Sequence, residues 1–331
     1  MLEQLWFGHQ RPLWSVLLRP FSALFGMIAR HRRRQYLRGK TQRYSAPVPV
    51  IVVGNIMIGG NGKTPFVIWL VEQLKAHGYR PGVVSRGYGG KSEQYPLLLS
   101  QTTPPRTAGD EPVLIARRTQ VPVCVDPNRS EAVKRILQEG VDIVVTDDGL
   151  QHYQLDRDIE IVIIDGQRRF GNGHYLPLGP LRESLDRLES VDMLVTNGGT
   201  PQGQEWGMHL VPGLAVNLRT GQRCQASMLP QVVAVAGIGH PPRFFNTLQQ
   251  MGVTPVYSQG INDHQTLNAD ELDRLSKKGQ HLLMTEKDAV KYQGIAQDNW
   301  WYLPVEARLP DEAAQAVLAK IERLQTNANK K

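Results

Sequence analysis

The sequence predicts an α/β protein, a doubly wound, mostly parallel sheet followed by a second, smaller α/β domain. Three observations carry this. From residue 48 onward, short β-branched runs alternate with helical patterns, as buried parallel strands and their crossover helices do. A second series of such runs starts after about residue 220, beyond the Gly- and Gln-rich stretch 198–207, which reads as a hinge. The length, 331 residues, suits two units of ordinary size. The expected divisions are 1–45 for an N-terminal helix, 46–218 for the core domain and 219–331 for the smaller domain.

The first element is an amphipathic helix over 13–28. Leu13, Val16, Leu17, Phe21, Leu24, Phe25 and Ile28 recur at steps of three and four on one face, interrupted by Arg19 and Pro20. A stretch broken by arginine and proline is a poor membrane span and a better interfacial helix, with Trp6, Phe7 and Trp14 at headgroup depth. Residues 1–43 hold nine Arg or Lys and one acid, a net +8 out of the chain's +7, which leaves the remainder near −1. That block suits an anionic membrane surface. A nucleic-acid surface would spread its charge over the globular body, so no nucleic-acid partner is expected. The dense charge follows the apolar stretch, the reverse of a cleaved signal peptide. Cys124 and Cys224 follow no metal-ligand spacing and read as reduced thiols.

The strands are then expected at 48–53, 81–85, 121–125, 141–146, 159–164 and 191–195. The second domain contributes 232–236, 253–257, 281–285 and 300–304. Helices are expected at 66–77, 130–139, 242–251, 268–278 and 311–325.

The first strand runs into Gly54-Asn55-Ile56-Met57-Ile58-Gly59-Gly60-Asn61-Gly62-Lys63-Thr64 and then a helix. Strand, glycine-rich loop and helix form a phosphate-binding loop, in which Gly59, Gly60, Asn61 and Gly62 bring backbone N–H groups onto phosphate oxygens. Lys63 would reach the β- and γ-phosphates of ATP, and the Thr64 hydroxyl would bind Mg²⁺. The usual first glycine of such a loop would stand at position 57, where this chain has Met57, so the loop is entered differently. The fold is thus of P-loop NTPase type.

Asp147 and Asp148 end the strand 141–146, beside the expected loop, and suit a Mg²⁺-holding pair. Asp110 and Glu111 follow Ala108-Gly109 in a loop; Asp110 fits either a helix cap or a general base for a hydroxyl acceptor. In Thr285-Glu286-Lys287-Asp288 the Lys and Asp are adjacent, which gives no support to guanine specificity. The segment 285–291 reads as a strand-to-helix turn.

These motifs, GGNGKTP (59–65), SRGYGG (85–90), AGDEP (108–112), DDGLQH (147–152), GPLRES (179–184), the DHQ of 263–265 and TEKDAVK (285–291), resemble the tetraacyldisaccharide 4′-kinases of lipid A biosynthesis in content and order. The resemblance implies transfer of the γ-phosphoryl group of ATP, with Mg²⁺, to the 4′-hydroxyl of a lipid A disaccharide 1-phosphate, giving lipid IVA. It implies that Asp110 accepts the hydroxyl proton and that His264, from the second domain, pairs with it. Arg182 would neutralise phosphoryl charge, Glu111 and Glu183 would support Mg²⁺ beside Thr64, Asp147 and Asp148, and Arg86 would line the site. A monomer on the cytoplasmic face of a bacterial inner membrane is the implied setting. The competing reading is a P-loop switch or metallochaperone-type NTPase whose second domain docks a partner.

Overall fold

Fifteen short strands, most of them apolar runs, assemble into two sheets in the computed structural model, which describes residues 2–8, 12–262 and 265–328. The strands of the first half are β1 (Val50–Gly54), β2 (Pro81–Ser85), β3 (Leu97–Leu98), β4 (Val123–Val125), β5 (Ile143–Asp147), β6 (Ile159–Asp165), β7 (Met193–Asn197) and β8 (Trp206–Pro212). The second half adds β9 (Ala215–Asn217), β10 (Arg223–Cys224), β11 (Val232–Ala236), β12 (Tyr257–Gly260), β13 (His281–Thr285), β14 (Trp300–Leu303) and β15 (Val305–Arg308).

In the larger sheet β4, β2, β5, β1, β6, β7 and β8 lie side by side and parallel, with antiparallel β3 and β15 at the edges. Both faces are covered, which is why these strands are apolar throughout rather than alternating. The helix Lys63–Ala76 buries Phe66, Val67, Leu70, Val71 and Leu74 against Ile51, Val53, Val145 and Ile161. The helix Arg129–Ile136, capped by the Asn128 side chain, buries Ala132, Val133 and Ile136 against the other face, where Val50, Val52 and Val144 point. Each of these large apolar side chains contributes about 1.5–3 kcal/mol on burial.

The smaller sheet has the order β10-β9-β14-β13-β11-β12, its four central and outer strands β14, β13, β11 and β12 parallel. The 219–331 division does not hold to the end of the chain. After Pro304 the backbone returns to the first domain: β15 pairs with β8, and the helix Asp311–Ala328 sends Ala313, Val317, Leu318 and Ile321 into the first domain's core. The stretch read as a hinge also gives way to strand β8, whose WGMHLVP mixes polar and apolar residues as a half-exposed strand near a sheet edge does.

At the N-terminus a 3₁₀ turn, Leu13–Leu18, leads into one helix, Arg19–Leu37. Arg19 and Pro20 begin this helix instead of interrupting one, since proline is tolerated in a first turn where its missing N–H has no intrahelical partner. Ser22, Gly26 and Tyr36 face the protein; the Ser22 hydroxyl donates to the Tyr175 carbonyl at 2.7 Å. Leu17, Phe21, Leu24, Met27 and Ile28 face outward, with Leu13 91% exposed. Trp6 differs from expectation: it is buried with Leu5 and Leu178, and its indole N–H donates to the Pro177 carbonyl at 2.9 Å. Among the described residues no helix is long and apolar enough to cross a membrane.

Candidate active site

The strand β1 lies between β5 and β6, and its carboxyl end opens into the crevice where parallel α/β sheets bind ligands. Met57 is packed in the core and pairs across an isolated bridge with Leu181, while Ile58 N–H donates to the Pro180 carbonyl and Arg182 N–H to that of Ile56. The loop is therefore entered along an extended segment zipped to 180–182, and a glycine at 57 has no turn to make. The turn comes at Gly62, at φ +89°, which starts the helix Lys63–Ala76; a Cβ there would also meet the Asn197 amide at 2.3 Å. The first N–H groups of that helix have no intrahelical acceptors and, at the positive end of its dipole, can receive phosphate oxygens.

Parallel register sets Asp147 of β5 level with Val53, one residue before the loop begins. Its carboxylate is 1% exposed, and neither oxygen has a hydrogen-bond partner. Burial, reinforced by the nearby Glu111 carboxylate, pushes it up to about 7, with Lys63 pulling the other way. Asp148, one residue on at φ +50°, is held quite differently. Lys63 Nζ lies 3.6 Å from it, and the Arg182 guanidinium donates to both its oxygens at 3.2 and 3.1 Å. Burial opposes its ionisation, but Lys63 and then Arg182 outweigh that and hold it well below the usual carboxylate range.

Arg182 also donates to the Asn55 side chain. Glu183 is engaged elsewhere: it accepts from Gln151 at 2.8 Å and from the Tyr153 hydroxyl, with Arg187 Nε at 3.4 Å. Arg86 follows β2, exposed, and its charge disfavours the cationic forms of Arg129 and His152. His152 is driven down to about 4, by burial first and then by Arg129 and Arg157, so its ring is neutral at pH 7.

Asp110 begins the helix Asp110–Thr119, 5% exposed, with one oxygen accepting from the Glu111 N–H at 2.9 Å. This helix is met by a second-domain helix, Glu286–Tyr292, whose N-cap is Thr285. Lys291 Nζ stands 3.5 Å from Asp110, Lys287 donates to Glu111 at 2.8 Å, and Arg118 reaches both Glu286 oxygens at 3.0 and 2.8 Å. The TEKDAVK segment is thus the second domain's clamp on AGDEP. Its His264 counterpart, like Asp263, lies outside the described residues.

A second junction lies at the phosphate loop. Asp165, fully buried at the end of β6, accepts from Arg168 Nε at 3.0 Å and from Arg243 of the second domain at 2.9 Å. Arg168 continues to the carbonyls of Gly239 at 3.3 Å and Gly60 at 3.5 Å. Burial works against the Asp165 charge, but Arg243 and the Arg168 N–H prevail and lower its pKa.

Sequence reasoning did not single out Arg129, Asp165, Arg168, Arg243 or Lys291. Arg129 is 5% exposed, donates to the Asp148 carbonyl at 3.3 Å and is lowered to about 10, burial outweighing Asp148. Its signal was available: Asp126-Pro127-Asn128-Arg129 follows a buried strand at its carboxyl end.

Among the described residues no three His, Cys, Asp or Glu side chains form a metal cage. Mg²⁺ does not require one, since it keeps waters and substrate phosphates as ligands. The unpartnered Asp147 carboxylate, level with the end of β1, and the buried Thr64 at the start of the helix that follows the loop fit such a sparse site.

A model of the tetraacyldisaccharide-1-P 4′-kinase family matches residues 14–322. The tetraacyldisaccharide 4′-kinase of Photobacterium profundum is 56% identical over 329 residues, covering 97% of this chain and 96% of that protein. That of Aliivibrio fischeri (strain MJ11) is 57% identical over 324 residues, 97% of this chain and 98% of that one. Among solved structures, the "apo" form LpxK of Aquifex aeolicus in complex with ATP superposes with a TM-score of 0.76 at 27% identity, covering 93% of this chain and 100% of that chain. The switch or metallochaperone reading falls away, and the chain belongs to the tetraacyldisaccharide-1-P 4′-kinase family.

Proposed function

We propose that in this ATP-dependent 4′-kinase of lipid A synthesis Asp110 accepts the proton of the acceptor's 4′-hydroxyl as that oxygen attacks the γ-phosphorus of ATP. The bond from γ-phosphorus to the β–γ bridging oxygen breaks, ADP leaves, and the acceptor gains the phosphoryl group. The amides of Gly59, Gly60, Asn61 and Gly62 with Lys63 hold the phosphates, and Asp148 aims Lys63 and Arg182 by pairing with both. Thr64 and Asp147 are the groups that would hold Mg²⁺, with Glu111 near enough to steady its waters. Held there, Mg²⁺ would supply positive charge that offsets the negative charge developing on the phosphoryl group.

The observation that carries this reading is the buried Asp147 carboxylate, without a hydrogen-bond partner, level with the start of the phosphate loop. A fully paired Glu183 has less to offer a cation, and its part is support of the 182–183 turn. His264 keeps the role of Asp110's partner that the family implies. Arg86, exposed after β2, is available to the acceptor's or nucleotide's anionic groups, while the buried Arg129 supports the Asp148 backbone.

The acceptor is acylated, and the outward apolar face of 13–28 above a basic block supports peripheral binding to the cytoplasmic face of the inner membrane. The test of the activity is incubation with ATP, Mg²⁺ and the tetraacylated disaccharide 1-phosphate. Mass spectrometry should show one added phosphate; an acceptor returned unchanged beside hydrolysed ATP would sink the reading.

A further inference from the structure

In the clamp between the two domains, Lys291 contacts both Asp110 and the described end of the 263–265 segment. Lys291 Nζ donates to the Asp288 carboxylate at 3.0 Å and to the backbone carbonyl of Gln265 at 3.2 Å, and stands 3.5 Å from Asp110 Oδ2. Gln265 is the last residue of the 263–265 segment. Lys291 and Asp110 have side chains 6% and 5% exposed, and Asp288 1%, so water and salt screen these charges little. Asp288 is itself fixed: it accepts from the Gly237 N–H at 2.8 Å and from the Thr285 hydroxyl at 2.6 Å. The ammonium is therefore anchored from the second domain and presented to a first-domain carboxylate.

We infer that Lys291 is a positioning residue for phosphoryl transfer, holding the Asp110 carboxylate and the 265 end of the second-domain segment at a fixed separation. The inference rests on Asp110 being the proton acceptor. A lysine suits the position better than an arginine, because a compact ammonium with three independently directed N–H groups can serve oxygens on three different elements, whereas a planar fork cannot. Lys291 touches neither reacting oxygen nor phosphorus in this account; it acts through the placement of Asp110, where a misplacement of an ångström costs on the order of 100-fold in rate.

The test is a double-mutant cycle on the full-length chain, using Lys291→Gln, Asp110→Asn and the pair, with single-turnover phosphorylation of the tetraacylated disaccharide 1-phosphate, the KM for ATP and thermal melting as readouts. Lys291→Gln should lower turnover on the order of 10- to 100-fold with the KM for ATP within about twofold. In the Asp110→Asn background the same change should cost almost nothing. Full turnover in Lys291→Gln, an equal loss in both backgrounds, or a loss confined to ATP affinity overturns the inference. Full turnover in Asp110→Asn overturns the assignment of the base instead. If Lys291→Gln does not fold, Lys291→Arg keeps the charge and carries the cycle: its loss too must vanish in the Asp110→Asn background, and persistence there counts against the inference.

Discussion

A Cβ on Gly239 would stand 2.3 Å from the amide nitrogen of Gly60, so the second domain meets the phosphate loop backbone to backbone. The loop 237–240 is held there from both sides, by Asp288 through the Gly237 N–H and by Arg168 through the Gly239 carbonyl. The second domain thus rests directly on the loop expected to hold the nucleotide, an arrangement that suits an enzyme that should not hydrolyse ATP without its acceptor.

Gly239→Ala should lower kcat/KM for ATP on the order of tenfold, because the atoms in the way are backbone and cannot swing aside. Steady-state kinetics at saturating acceptor check this. A change within twofold would show that the contact is not needed in the working state.

Asp147→Asn should stabilise the protein without Mg²⁺ while reducing turnover by roughly 100-fold or more. Removing an unpartnered buried carboxylate relieves about 1–2 kcal/mol, or roughly 2–4 °C per kcal/mol in the melting temperature. The pH dependence has a definite sign. With the folded carboxyl raised to about 7, the folded state binds more protons than the unfolded one between the ordinary carboxylate value and pH 7, so stability falls as pH rises through that window. Melting curves without Mg²⁺ should show this fall in the wild type and a flatter profile in Asp147→Asn; superimposable profiles would contradict it.

Leu17→Glu with Phe21→Glu, on the outward face, should reduce co-sedimentation with anionic vesicles several-fold and leave turnover in detergent within about twofold. Lost turnover in detergent would mean that this face serves the active site directly, and unchanged sedimentation would remove the membrane role from it.

The larger sheet was legible because both of its faces are covered and its strands are unbroken apolar runs, and the phosphate loop because glycines and a lysine stand between such a strand and a helix. β8 and β15 were not, since half-exposed strands lose the apolar run and show only a weak alternation. The return of the chain's end to the first domain depends on that same pairing. In the site, the acids at strand ends could be read one by one, but their division of labour could not. Only the fold shows that Asp148 is consumed by Lys63 and Arg182, that Glu183 is consumed by Gln151 and Tyr153, and that Asp147 keeps its oxygens. Lys291 was hidden for a similar reason: beside its helical neighbour Asp288, its partners Gln265 and Asp110 come from other segments, Asp110 from the other domain.

The central claim is that Asp110 takes the acceptor's proton while other groups hold ATP. It is tested most directly by comparing Asp110→Asn with the wild type in two assays, calorimetric binding of ATP with Mg²⁺ and single-turnover formation of the 4′-phosphorylated product followed by mass spectrometry. The account predicts ATP affinity within about twofold and product formation slower by on the order of 10²- to 10⁴-fold. Product formation at the wild-type rate, or a loss of ATP affinity large enough to explain the slowing, would contradict it.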